Sequence, residues 1–311
     1  MRITNSFFAN SMVNQLNTLT ARQYRLQNQA ATGQRIQSPE DDPAAMQRTL
    51  DLRAENSTLQ QYASNVSTLQ NRAGTAFDSL KAIKTISDRA GEIATLADGT
   101  RSPQELQAYA AEVTQLIKQA AQLANVQYNG DYIFGGTATG QPPYLVATDA
   151  DGNVTGVTYQ GNANIAQTEI GQGVTTSVDV PGENTTGSGP HGLITDSRNG
   201  ADFFNHLISL QNNLLAGDTN AVAATDRPAL AKDEDNLIFN IAQNGATQTR
   251  LDTAATSLSA RSLSVGQLIS KEADADLSQT IVQLNETQTA YQAALQSASM
   301  IMGTSLLDYV H

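Results

Sequence analysis

The chain contains no cysteine and no tryptophan, three histidines, and aromatic residues at only 5%. Without cysteine it has neither a disulfide framework nor a thiolate metal site. His191 sits in a Gly-Pro loop, His206 in an apolar-periodic stretch and His311 at the terminus. There is no HExxH, no histidine pair at ligand spacing and no GxSxG elbow, so no metal, cofactor or catalytic residue is expected and the protein reads as a non-enzyme. Charge is scarce as well: 15% of the 311 residues, with 18 basic against 30 acidic side chains and a net charge of -12. A nucleic-acid binder needs a cationic face, which this balance does not provide. No apolar run reaches the length of a membrane span, so membrane insertion is not expected. The opening MRITNSFFANSMVNQ has no continuous apolar core and does not read as a cleaved secretory signal.

Three segments imitate sites. Asp149-Ala-Asp-Gly-Asn153 resembles a calcium loop, but Gly152 and Gln160 fall where that loop needs other residues, and a hairpin turn fits better. GQG (171–173) and GSG (187–189) lack the lysine and following helix of a phosphate loop. Glu40-Asp41-Asp42 offers carboxylates for a cation. Directly ahead of Pro43, these carboxylates also suit the positive end of a helix.

What the chain does have is helical periodicity. Ala9, Met12, Leu16, Leu19, Gln23, Leu26 and Ala30 alternate at gaps of three and four, the seam of a coiled coil, and the pattern stops at Gly33. Pro39 and Pro43 break the helix. A second helix, roughly residues 44–98, carries Ala45, Leu52, Leu59, Tyr62, Val66, Leu69, Ala73, Ala76, Leu80 and Ile83 on one face. At 1.5 Å per residue it is ~80 Å long. Ser102-Pro103-Gln104-Glu105 is a capping box that opens a third helix predicted to run to about Tyr128. Residues 131–200 are rich in Gly, Thr, Val and Asn. There, 144–148 and 154–159 read as a hairpin and 174–180 as a half-buried strand. Helical patterns return near 202, from Pro228 to about Asn244, and from Gly245 onward.

The last helical pattern changes register near residue 274. Leu251, Ala254, Leu258, Arg261, Val265, Leu268 and Glu272 share one register, and Leu277, Ile281, Leu284, Gln288, Tyr291, Leu295, Ala298 and Met302 the next. The breaks near 38 and 274 lie at nearly the same distance from the two ends, so the terminal helices are expected to pair antiparallel. The predicted fold is mainly α with an inserted β-rich domain, on an elongated antiparallel coiled-coil or helical-bundle rod built from both chain ends. Its parts are a terminal coiled-coil domain (1–43 and 274–311), a long-helix rod domain (44–130 and 201–273) and an outer β-rich domain (131–200). The terminal pair is poor in large apolar residues and rich in Ala, Gln, Ser and Thr. It is expected to order only against neighbouring copies. Met12, Leu16, Leu19 and Leu26 are the expected assembly interface with Leu284, Tyr291, Leu295 and Met302, within and between copies.

The stretch ATGQRIQSPEDDPAAMQRTLDLRAE (31–55) and the tail LNETQTAYQAALQSASMIMGTSLLDYV (284–310), with Ser-Leu-Leu-Asp-Tyr at 305–309, resemble the two ends of the bacterial flagellin superfamily. The opening MRIT and the segment NGDYIFGGT (129–137) resemble its hook–filament junction branch more than flagellin itself. The resemblance implies a flagellin-like fold in which the terminal helices form an inner tube, the long helices a middle layer, and the β region the outside. It implies a structural subunit forming a ring of copies between hook region and filament. The implied neighbours are the first hook-associated protein on one side and flagellin on the other. It further implies an export chaperone bound at the C-terminal helix, and an extracellular place in the flagellum reached through type III export without a cleaved signal. Bulk flagellin is the alternative. A hydrolase in the β region would require a cleft with converging, perturbed carboxylates.

Overall fold

The structure is a computed structural model that describes the backbone of residues 2–307 and the side chains of Phe7 and residues 10–300. It divides into two compact units, one of residues 1–58 and 261–311, the other of residues 59–260. The divide falls inside two long helices, α2 (Pro43–Leu96) and α6 (Arg227–Ala273).

The first unit holds α1 (Arg2–Thr32), the start of α2, the end of α6, and α7 (Leu277–Leu307). Gly33 ends α1 in the left-handed conformation (φ 71°), its N–H returning to the Gln29 carbonyl at 2.9 Å. Asp42 then starts α2 by accepting the Ala45 N–H at 3.0 Å, and Asp41 folds the intervening loop by accepting the N–H groups of Gln37 and Ser38. The carboxylates of 40–42 thus include one that meets a helix N-terminus. Asp276 starts α7 by accepting the Gln279 N–H at 3.1 Å. Within this unit α2 and α6 run antiparallel. Arg48 meets Glu272 at 2.8 Å, Arg261 meets Glu55 at 2.6 Å, and Ala45, Thr49, Val265 and Ala273 are buried.

In the second unit α3 (Pro103–Ala124) opens with the expected capping box. Ser102 Oγ accepts the Glu105 N–H, and the Glu105 carboxylate accepts the Ser102 N–H at 2.8 Å. The helix stops four residues before Tyr128. Gln127–Tyr128 (β1) pairs instead with Asp131–Tyr132 (β2) around Asn129 and Gly130, both at positive φ. An Asn-Gly pair favours that mirror-image turn, and the turn outcompetes the last helical turn. The expected hairpin forms between β3 (Tyr144–Thr148) and β4 (Val154–Tyr159). Of the strand expected at 174–180, only β6 (Val174–Thr176) pairs, with β5 (Thr168–Gly171). β7 (Glu183–Asn184), β8 (Thr195–Asp196) and β9 (Ala201–Asp202) form a three-stranded sheet with β8 in the centre.

These strands share a core with the helices. Ile133, Phe134, Tyr144, Val154, Leu193 and Ile194 pack with Leu80, Ile83, Ile93, Val113 and Ile117, and with Phe203, Leu207 and Leu210 of α4 (Phe203–Ala216). Two side-chain amides secure the hairpin. Asn125 makes both bonds to the Tyr144 backbone (2.8 and 2.9 Å), and buried Gln211 both to the Val154 backbone (3.0 and 3.2 Å). After the short turn α5 (Thr219–Ala221) and a π segment (Val222–Asp226), α6 runs without interruption through Gly245, where a stop had been expected. A lone helical glycine costs about 1 kcal/mol against alanine, which burial of Leu237 and Leu251 on either side outweighs. Val66, Leu69 and Ala73 pack with Leu251, Leu258, Ile170 and Val178 in a second cluster.

Candidate assembly interface

The terminal helices α1 and α7 pack against each other. Their joints with the long helices are stitched together: Gln34 and Asp274 form an antiparallel bridge. The Arg35 N–H donates to the Ala273 carbonyl at 2.7 Å, and the Ala275 N–H to the Gly33 carbonyl at 2.8 Å. Arg35 adds a guanidinium bond to the Glu272 carbonyl at 2.7 Å. The end of α1 therefore lies beside the start of α7, and the two helices run antiparallel.

Backbone N–H groups of Gln37 and Ser38 hold the Asp41 carboxyl below its ordinary range, and the Ala45 N–H does the same for Asp42. A hydrogen bond from Arg48 lowers Glu272. The joint is thus built from carboxylates whose ionised form is favoured by donors that the fold brings against them.

On α1, Leu26 is buried and Met12, Leu16, Leu19 and Gln23 are half-buried, while Phe7, Val13 and Tyr24 are exposed. On α7 the covered stripe is Thr280, Leu284, Thr287, Tyr291, Ala294 and Ala298. Leu284 and Tyr291 of the expected interface lie on it. Leu295 does not: it is 43% exposed, and Leu277 and Ile281 of the same predicted register are exposed as well. The Met302 side chain lies outside the described residues, as does that of Ala9. The stripe that apolar periodicity overlooks, Thr280, Thr287 and Ala294, repeats every seven residues but is made of small side chains. Thr287 satisfies its own hydroxyl on the Gln283 carbonyl at 2.7 Å.

Elsewhere the side chains offer little chemistry. A cleft of about 240 Å³ lies between 177–180, Pro190, His191 and α6, and its one carboxylate, Asp179, is paired with Arg72 at 2.7 Å. Glu183, whose carboxyl is pushed up to about 7 by burial and by Asp202, does not line it. Among the described residues no group of three His, Asp or Glu could hold a metal, and no helix is long and apolar enough to cross a membrane.

Residues 3–139 match the family model of the bacterial flagellin N-terminal helical region. Flagellar hook-associated protein 3 of Escherichia coli K12 is 24% identical, over 90% of both chains. That of Salmonella typhimurium LT2 is 23% identical, over 99% of both chains. A solved structure from Vibrio parahaemolyticus, ascribed to a flagellar hook-associated protein, is 20% identical and superposes with a TM-score of 0.64, covering 75% of this chain and 100% of that one. Residues 3–139 are thus similar to the flagellin N-terminal helical region, and nearly the whole length of the chain is similar to those two hook-associated proteins.

Proposed function

We propose that this protein is a structural subunit of the bacterial flagellum that joins the hook-associated region to the filament through intersubunit packing of its terminal helices. The observation that carries the reading is the likeness to hook-associated protein 3 over 99% of the chain. The antiparallel pairing of α1 and α7 supports it, because the two terminal helices then form one surface that a neighbouring copy can contact. In this reading the pair is a coiled coil within an elongated rod, with parts at 1–43 and 274–311, 44–130 and 201–273, and 131–200. Met12, Leu16, Leu19, Leu26, Leu284 and Tyr291 knit the pair, and Leu295 faces the next copy. The subunit forms a ring with its own kind, the first hook-associated protein on one side and flagellin on the other. It leaves the cell through the flagellar export channel without a cleaved signal, escorted by a chaperone on its C-terminal helix. Bulk flagellin is the less supported alternative.

The test is incorporation into flagella. Leu295→Asp changes a side chain that is 43% exposed, so the isolated protein should fold and melt as the parent does while incorporation fails. Leu16→Asp should abolish incorporation while leaving the unit of residues 59–260 folded. Normal incorporation of both variants would overturn the reading, and long filaments grown from this protein alone would favour flagellin.

A further inference from the structure

The cleft between residues 177–180, His191 and α6 lies wholly within residues 59–260, apart from the terminal helices. Drug-sized molecules occupy pockets of about 300 Å³ and upward, so this cleft, at about 240 Å³, has room for a single six-membered ring. One part of its lining is aromatic. Phe239 is 37% exposed there, and the His191 ring stands 4.3 Å from it, tilted by 49°. The rest is polar and carries groups that the fold leaves unused.

Asn240 is only 2% exposed. Its Nδ2 donates to the Asn236 carbonyl at 2.9 Å and reaches the Gly192 carbonyl at 3.4 Å, which fixes the amide one way round. Its Oδ1 accepts no hydrogen bond among the described residues, yet it is not sealed off, since Asn240 lines the cleft. Asp179 repeats the pattern. Its side chain is 9% exposed, Oδ1 meets Arg72 at 2.7 Å, and Oδ2 has no partner among the described residues. His191 turns Nδ1 toward Asp196 at 3.2 Å, which leaves Nε2 in the same condition. Exposed Gln243, whose side-chain amide is likewise unengaged among the described residues, completes the set.

We infer that this cleft binds a hexopyranose ring, as a free sugar or as the end of a longer glycan. The buried unused groups are acceptors, and a buried acceptor left without a donor is costly, so the complementary ligand brings donors. A cation is not called for: Arg72 already compensates Asp179, and no second carboxylate lines the cleft. An anion would face the lone pairs of Asn240 and the charge of Asp179. A neutral ring with hydroxyls on its rim meets the requirement. Its hydroxyls donate to Asn240 Oδ1 and Asp179 Oδ2 and exchange bonds with the Gln243 amide. Its C–H face, which carries partial positive charge, lies on the negative face of Phe239. This binding is independent of assembly, because every group it uses belongs to one chain.

The test titrates the full chain, as dilute monomer, with glucose, galactose, mannose and N-acetylglucosamine and with their methyl glycosides. At least one should bind in the millimolar range, seen by NMR as shifts of the Asn240 and Gln243 side-chain amides, while those of Asn125 and Gln211 stay in place. No binding by any of them, or shifts that spare Asn240 and Gln243, would overturn the inference, and neither readout needs a mutant. Binding of a methyl glycoside assigns the cleft to a glycan end, and binding of the free sugar alone to a solute; either supports hydroxyl recognition. Phe239→Ala should weaken binding by about threefold or more, and Phe239→Tyr, which keeps the ring face, should retain it. Parental affinity in Phe239→Ala, or binding of methylammonium in place of every sugar, would also overturn it.

Discussion

Gln211 illustrates how much one buried side chain can hold. Its amide takes both backbone groups of Val154 and also accepts the Thr114 hydroxyl at 2.8 Å, so the hairpin is joined to α3 and α4 through a single residue. Gln211→Ala would strand the Val154 N–H and C=O out of reach of water, at a cost of about 2–4 kcal/mol, read as a lower urea midpoint for residues 59–260. Ser102→Ala removes a cap and should cost about 0.5–2 kcal/mol by the same measurement. Glu183 gives a pH signature. Its folded carboxyl titrates at about 7, above the unfolded value, because burial and Asp202 oppose its ionisation. The folded state therefore holds a proton that the unfolded chain has already released, and stability falls as pH rises from about 4.5 to 7. Glu183→Gln should flatten that fall, seen as a smaller difference in melting temperature between pH 5 and pH 8. Of these only the Ser102 cap was legible beforehand: which amide caps a hairpin, or which carboxyl is buried, depends on tertiary neighbours that no local pattern encodes.

Helix legibility followed side-chain size. The α2 face read from Ala45 to Ile83 is the face the structure covers, because apolar residues, most of them large, mark it without a gap from Leu59 onward. On α7 the same rule selects Leu277, Ile281 and Leu295, which are exposed, and passes over Thr280 and Thr287, which are buried. Small polar residues can line a close helix contact when they return their hydroxyls to their own backbone, a role that hydrophobic counting misses. Turn chemistry misled in both directions: Asn129-Gly130 drew the chain out of α3 early, while Gly245 failed to stop α6. Gly33 is a stop that was legible and has a testable cost. A β-branched residue at its φ of 71° is strained, so Gly33→Val should loosen the joint. Amide exchange of Arg35 and Ala275, whose N–H groups close the crossing, should accelerate while that of residues 59–260 is unchanged.

At the scale of the whole molecule, stability is unevenly placed. Among the described residues the largest fully buried side chains, Tyr144, Phe134, Phe203, Leu80, Ile93 and Ile117 among them, belong to residues 59–260. The α1/α7 pair contributes Leu26, two threonines and a set of half-buried side chains. Amide exchange along Leu16–Leu26 and Thr280–Leu295 should therefore be fast in dilute monomer and slow markedly on assembly, whereas α3 and α4 should be slow in both. Equal protection of the terminal helices in both states would show that neighbouring copies contribute nothing to their order.

The crossing at Gly33–Arg35 and Ala273–Ala275 has a mechanical consequence. Two polypeptide strands pass there side by side, tied by a pair of short backbone hydrogen bonds. A single-strand tether swivels freely about its own axis, but a doubled one resists swivelling and yields mainly by flexing across its narrow direction. Severing one strand, for example by a protease site engineered into residues 34–38, should convert a flap into a swivel without unseating either helix.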